Sequence, residues 1–237
     1  MKLEIKTIAH RYGNDLTDLE KALATEGVDA IECDVWWSGG TRFSVHHNKK
    51  YWIFPLIGFE RWKGKIRFVF TWKDLWLKEV LDKTAGKKIL VINIKGGRGE
   101  AEIETMLEEL FALLMESKRF NSVVLDPEST HAYLTPLQRT SHLLEVSPPP
   151  VRFSIGNQTE RQHFLSLSEE TKSCLSGIVV KKSLLLSPDA PELQKQSLPI
   201  YAYTVNDYGE ALSLLQKGVT GIISDKLEVL RKLSATN

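Results

Sequence analysis

Two cysteines, Cys33 and Cys174, are too few and too far apart for a disulfide framework or a CxxC centre. Their scarcity fits a reducing compartment. The chain also lacks an unbroken apolar run of the roughly 18 residues that a membrane-crossing helix needs. Met1 leads into the alternating Leu3-Glu4-Ile5-Lys6 instead of the apolar stretch of a secretory leader. A cytoplasmic location is therefore expected. Neither sign of charge is in excess: 31 Lys and Arg against 30 Asp and Glu leave a net charge of +1. No global field points to nucleic acid or to an anionic membrane. A glycine-rich phosphate turn after the first strand is missing too. His10-Arg11-Tyr12-Gly13 stands in its place, which weighs against an open doubly wound sheet.

What is present is a soluble composition, 42% hydrophobic and 26% charged, and a regular alternation of short apolar runs with longer amphipathic ones. Strands are predicted at 3–9, 30–37, 89–94, 122–125, 151–155, 177–180, 199–205 and 219–224. Ile89 to Ile94 is the plainest, a continuous β-branched run. Helices are predicted at 16–25, 102–117, 134–144, 160–175, 190–196, 208–217 and 227–233. In the second of these Ile103, Met106, Leu107, Leu110, Leu113 and Leu114 share one face. Eight strands separated by helices, with no linker or second core, imply an α/β fold: a single (β/α)8 TIM barrel over 1–237.

Active sites of such barrels lie at the carboxyl ends of the strands. The first strand ends in His10-Arg11 and the second in Glu32-Cys33-Asp34. Side chains alternate along a strand, so Glu32 and Asp34 share a side, and Ile31, Cys33 and Val35 take the other. Two carboxylates one pleat apart repel unless a proton or cation intervenes, and a hard divalent ion with oxygen ligands is the simplest remedy. The bland alternative is a solvated pair on an edge strand, which the apolar flanks disfavour. Asn93 and Lys95 share a face at the end of the third strand, where a lysine pointing into the barrel calls for an anion. After the turn at 38–41 the chain reverses and returns His46 and His47 toward the same rim. Two histidines beside a phosphate can serve in turn as base and acid. His131, His142 and His163 lie in helical or loop contexts and are read as structural.

These fragments resemble the glycerophosphodiester phosphodiesterase family. The strand ending His10-Arg11 is followed by Gly27-Val28-Asp29-Ala30-Ile31-Glu32-Cys33-Asp34-Val35, then by His47-Asn48. Tyr203-Thr204-Val205-Asn206 and Gly218-Val219-Thr220-Gly221-Ile222-Ile223-Ser224-Asp225 follow near the end. The resemblance implies Ca²⁺ or Mg²⁺ held by Glu32, Asp34 and Asn93. It implies an acid/base pair of His10 and His47, with His46 as the neighbouring candidate, and phosphate contacts from Arg11 and Lys95. The substrate would be a small-molecule or lipid phosphodiester, a glycerophosphodiester or related lysophospholipid. Asn93 stands where the family has an acid, Asn48 where it has Asp, and Tyr203 where it has Trp. Gly13-Asn14-Asp15-Leu16 replaces its Pro-Glu-Asn-Thr. Asn93 motivates a second reading, a non-catalytic phosphate-binding barrel with a degenerate metal site. A carbohydrate hydrolase using Glu32 and Asp34 is disfavoured, since one strand places them side by side and not across a sugar bond.

All six tryptophans fall between residues 36 and 76, within an aromatic-rich insertion after the second strand. Residues 51–76 either form an apolar wall or lid touching a membrane peripherally, or pack the insertion onto the barrel. The sequence leaves both open.

Overall fold

The computed structural model describes residues 6–40, 42–47, 74–97, 99–187 and 190–236, and the backbone of 50–54, 57–62 and 65–70. Eight parallel strands form the barrel: β1 (Thr7–Ala9), β2 (Ala30–Trp37), β8 (Ile89–Lys95), β9 (Val123–Leu125), β10 (Arg152–Ile155), β11 (Gly177–Lys181), β12 (Ile200–Tyr203) and β13 (Gly221–Ser224). Each pairs with the next in that order except β9 with β10, and β13 returns to β1. Closure between β9 and β10 rests on a single parallel bridge, Leu125 to Val151, with the Leu125 amide donating to the Pro150 carbonyl at 2.8 Å. The fold expected from strand counting is the fold observed.

Between β2 and β8 the chain makes an excursion. Strand β3 (Phe43–Val45) runs antiparallel to β2, with Val35 opposite Val45 and Trp37 opposite Phe43. Strands β4 (Lys50–Phe54), β5 (Ile57–Trp62) and β6 (Lys65–Phe70) form a separate antiparallel meander. Strand β7 (Leu75–Trp76) rejoins β3 and leads into α2 (Leu77–Thr84). The side chains that would make 51–76 a lipid-facing surface lie, apart from those of 74–76, outside the described residues, as does Asn48.

The outer helices are α1 (Leu16–Ala24), α3 (Glu100–Glu116), α4 (Thr130–Leu143), α5 (Gln158–Ser166), α6 (Glu169–Ser173), α7 (Lys182–Leu185), α8 (Ala190–Gln194), α9 (Tyr208–Gln216) and α10 (Leu227–Ser234). Rim loops enter several of them through capping side chains: Asp15, Asn157 and Asp207 each accept from a first-turn amide. The sequence pattern misses α2 and α7 and merges α5 with α6. Their separation has a local cause, because Ser168 caps α6 by accepting from Thr171 and so starts a new helix.

The two faces of each strand have different fates. Ala9, Ile31, Cys33, Val35 and Ile92 point outward into the layer beneath the helices, while Ile8, Ala30, Val91, Val124, Val179, Tyr201 and Ile223 fill the interior of the barrel. Two residues further along several of these strands the inward side chain turns polar: His10 follows Ile8, Glu32 follows Ala30, Asn93 follows Val91 and Asp126 follows Val124. Period-two alternation therefore builds an apolar floor with a polar layer directly above it.

Candidate active site

Above that floor lies a cavity of about 330 Å³ lined by His10, Arg11, Glu32, His47, Asn93 and Lys95, with Asp126, Ser154, Glu160 and Tyr203 across from them. Of the residues expected at the site, Asp34 and the alternative histidine His46 are not part of the lining; Asp34 lies just behind it, fully buried.

Asp34 is the electrostatic hub. Its Oδ2 accepts from Asn14 Nδ2 at 2.8 Å and lies 3.1 Å from His47 Nδ1 and 3.6 Å from Arg11 Nε. Its Oδ1 lies 3.3 Å from Lys95 Nζ. Burial alone would raise its pKa, but the His47 hydrogen bond and the Lys95 charge outweigh that and hold it at about 2. Glu32, also buried, goes the other way: burial raises its pKa despite nearby His10, and Asn93 Nδ2 donates to its Oε1 at 3.3 Å. The shared face of these acids thus holds one carboxylate stabilised by its partners and one whose pKa burial raises.

Each histidine is tethered through the same atom. His10 Nδ1 sits 2.7 Å from Asp225 Oδ1, while its Nε2 lies 3.8 Å from Glu32 Oε1. His47 Nδ1 faces Asp34. A carboxylate on Nδ1 fixes that nitrogen as the donor, orients the ring and leaves Nε2 for chemistry. Burial lowers the His10 pKa, yet the Glu32 and Asp225 carboxylates more than compensate, so it is raised overall. Asp225, bonded to His10, is held at about 2. His46 takes a different place. Its ring stacks on Trp36 at 5.9 Å, its Nε2 meets Ser44 Oγ at 3.1 Å, and its carbonyl accepts from Trp36 Nε1.

The turn at Tyr12–Asn14 delivers two of these groups. Arg11 adopts a left-handed conformation (φ 62°), and Asn14 is locked to Asp34 by a second bond, the Asp34 amide donating to Asn14 Oδ1 at 2.7 Å. Gly13 lies against β2, where a Cβ would sit 2.6 Å from Cys33 Cβ and 3.0 Å from the Glu32 carbonyl oxygen. Gly13→Ala should therefore push the turn away from β2, loosen Arg11 and Asn14 from Asp34, and cost about 1–3 kcal/mol. An unshifted urea midpoint would show that the close approach carries no such constraint.

Sequence reasoning gave no site role to Asp225, Asn14 or Asn206. Asn206 accepts from Ser224 Oγ and the Asp225 amide and donates to Asp225 Oδ2 at 2.9 Å, fixing the acid that orients His10. Its signal was available, because both Asn206 and Asp225 lie in the carboxyl-terminal motifs. Asn14 had none.

A closed eight-stranded α/β barrel with a mouth of histidines, carboxylates and basic side chains is the class these observations define. No protein-family model matches the chain, and no curated protein does. Solved structures match over nearly the full length. A glycerophosphodiester phosphodiesterase from Parabacteroides distasonis is 18% identical, with a TM-score of 0.70, covering 100% of this chain and 99% of its own. A phosphodiesterase from Oleispira antarctica, in complex with the product sn-glycerol-3-phosphate, is 16% identical, with a TM-score of 0.69 and coverage of 98% and 97%. The glycerophosphodiester phosphodiesterase of Thermotoga maritima is 19% identical, with a TM-score of 0.67 and coverage of 97% and 98%. At these identities the likeness shows the fold. No helix among the described residues is long and apolar enough to cross a membrane.

Proposed function

We propose that this chain is a phosphodiesterase of the glycerophosphodiester phosphodiesterase family, hydrolysing a glycerophosphodiester to an alcohol and a phosphomonoester. The observation that carries the reading is the pairing of two imidazoles, each held through Nδ1 by a carboxylate, around one cavity that also receives Arg11 and Lys95. A phosphodiester is an anion, and two cations at the rim would hold it in the mouth. One imidazole would take a proton from the attacking nucleophile, either water directly or a substrate hydroxyl whose cyclic phosphate water then opens, and the other would give one to the departing alcohol oxygen. Asp225 and Asp34 would stabilise whichever ring is charged at each stage. The far side of the cavity is polar, with Ser154, Asn157, Glu160 and Tyr203. That chemistry suits a glycerol-like alcohol better than an acyl chain and favours a glycerophosphodiester over a lysophospholipid.

Glu32, Asp34 and Asn93 would hold a hard divalent ion, Ca²⁺ or Mg²⁺, through oxygen. Two of the donor atoms, Asp34 Oδ1 and Asn93 Oδ1, are buried without a hydrogen-bond partner, a state that a coordinated cation relieves. Among the described residues no group of three or more His, Cys, Asp or Glu is arranged to hold an ion; the third donor here is an amide. When bound, the ion would draw negative charge off the phosphoryl oxygens. The uncharged amide of Asn93 and the proximity of Lys95 to Asp34 favour weaker metal binding than three acids would provide.

The test is a panel of glycerophosphodiesters and lysophospholipids, assayed with Ca²⁺, with Mg²⁺ and with a chelator. Alcohol release from a glycerophosphodiester, suppressed at least about tenfold by chelation, is the expected result. Turnover indifferent to chelation would remove the metal from the proposal. Phosphate binding without turnover of any substrate would instead favour the non-catalytic barrel.

A further inference from the structure

The opposite, amino-terminal end of the barrel holds a charge without a counter-ion among the described residues. Arg119 follows α3, where Lys118 turns left-handed (φ 53°) and the Arg119 amide closes on the Leu114 carbonyl at 2.8 Å. That turn directs the side chain inward, leaving it 4% exposed. Its Nη2 donates to the Lys88 carbonyl at 3.3 Å, while Nε and Nη1 are buried with no hydrogen-bond partner. Burial pulls its pKa down, and no carboxylate pushes it back. A buried guanidinium without a counter-charge is costly, and the cost falls when an anion is bound beside it.

Arg119 lines a cavity of about 460 Å³ between the start of β2, the loop before β8 and the turn before β9. Lys87, Lys88, Ser122 and Asp29 line it as well. The Lys88 ammonium is engaged by the Val28 and Thr25 carbonyls, but its charge remains. Asp29 is the single acid among the described residues of the lining, and its Oδ2 is already taken by the Lys6 and Thr7 amides and the Thr7 hydroxyl. Lys87 is exposed at the lip. The lining therefore carries three cations against one engaged carboxylate.

We propose that this cavity is a second oxyanion site, separate from the barrel mouth, which binds a small phosphate-class anion between Arg119 and Lys87. Such an anion would bring a counter-charge up against the Arg119 guanidinium and bond to the exposed Lys87 ammonium. Because the site joins three segments brought together only by folding, occupancy stabilises the native chain by mass action.

The two phosphate sites are separated by working in the Arg11→Ala/Lys95→Ala double variant, which removes the cations of the mouth. Titration calorimetry with inorganic phosphate is expected to retain one site there. The melting temperature should rise with phosphate and not with sodium chloride of equal ionic strength. Adding Arg119→Met should weaken the remaining binding at least about tenfold, and adding Lys87→Ala, an exposed change that leaves the core intact, should weaken it severalfold. A parallel titration with glycerol phosphate identifies the source: tighter binding than inorganic phosphate assigns the site to a phosphomonoester, weaker binding to the free ion. Loss of all binding in the Arg11→Ala/Lys95→Ala variant overturns the proposal. So does an equal rise in chloride, or phosphate affinity unaffected by both Arg119→Met and Lys87→Ala.

Discussion

His10→Ala should lower kcat/KM for phosphodiester hydrolysis by about 10²- to 10⁴-fold while leaving the fold in place. The ring links the buried Glu32 to the rim acid Asp225, so its removal takes a proton carrier out of the site. The fold should tolerate the loss. Asp225 is about half exposed and keeps its bond from Asn206, and the buried Glu32 loses the His10 charge but keeps the Asn93 amide bond. His10→Gln separates positioning from proton transfer, since the amide can still donate to Asp225 but cannot carry a proton near neutral pH. It should be about as inactive as alanine. Activity of either variant within threefold of the native protein, at unchanged circular dichroism, would remove His10 from the chemistry and the acid/base reading with it.

The largest stability effect is expected inside the barrel. Arg152 occupies an inward position of β10 and is 1% exposed. Its Nε donates to Asp126 Oδ1 at 2.7 Å and its Nη2 to Asp126 Oδ2, a two-pronged pair, with the Tyr201 ring 4.5 Å from the guanidinium carbon. Asp126 lines the cavity above. Arg152→Met removes the cation and strands a buried carboxylate, at an expected cost of about 3–5 kcal/mol. For a domain of this size that is a fall in Tm of roughly 10 °C. Replacing both partners, Arg152→Met with Asp126→Leu, should restore part of the loss, because no charge is then left unpaired. Thermal unfolding of the three proteins decides the matter. A single variant as stable as the native chain, or a double variant less stable than the single, would mean the pair does not carry this energy.

Strand positions and the facing of side chains were legible because both are short-range properties. The β-branched run at 89–94 reads as a buried strand wherever it sits in the fold. The placement of Glu32 with Asp34, and of Asn93 with Lys95, follows from the pleat alone. Helices α2 and α7 were less legible. The first sits at the end of an insertion whose alternating aromatic and basic residues mask the helical period, and the second is a single turn. The aromatic insertion suggested function by composition alone. Trp36 and Trp37, at the end of β2, spend their indole nitrogens on the His46 carbonyl and on Glu109, the packing use of an amphipathic ring.

Arg152 shows the other limit. Nothing in its neighbourhood along the chain distinguishes it from a solvated arginine at a strand start, and only barrel closure turns it inward toward Asp126. The same holds for Arg119, whose missing counter-ion becomes visible only when three loops meet beneath the barrel.

By itself the sequence determined the α/β alternation, the number of barrel strands and which residues of each strand face the interior, since these depend on contacts between positions two to four apart. Tertiary structure alone decided that Asp225, 215 residues away, orients His10, that His47 and not its neighbour lines the cavity, and that Asp34 gathers Asn14, His47, Arg11 and Lys95 around it. Those outcomes depend on strand register and ring closure, which are set by pairing between distant segments and leave no local periodicity to read.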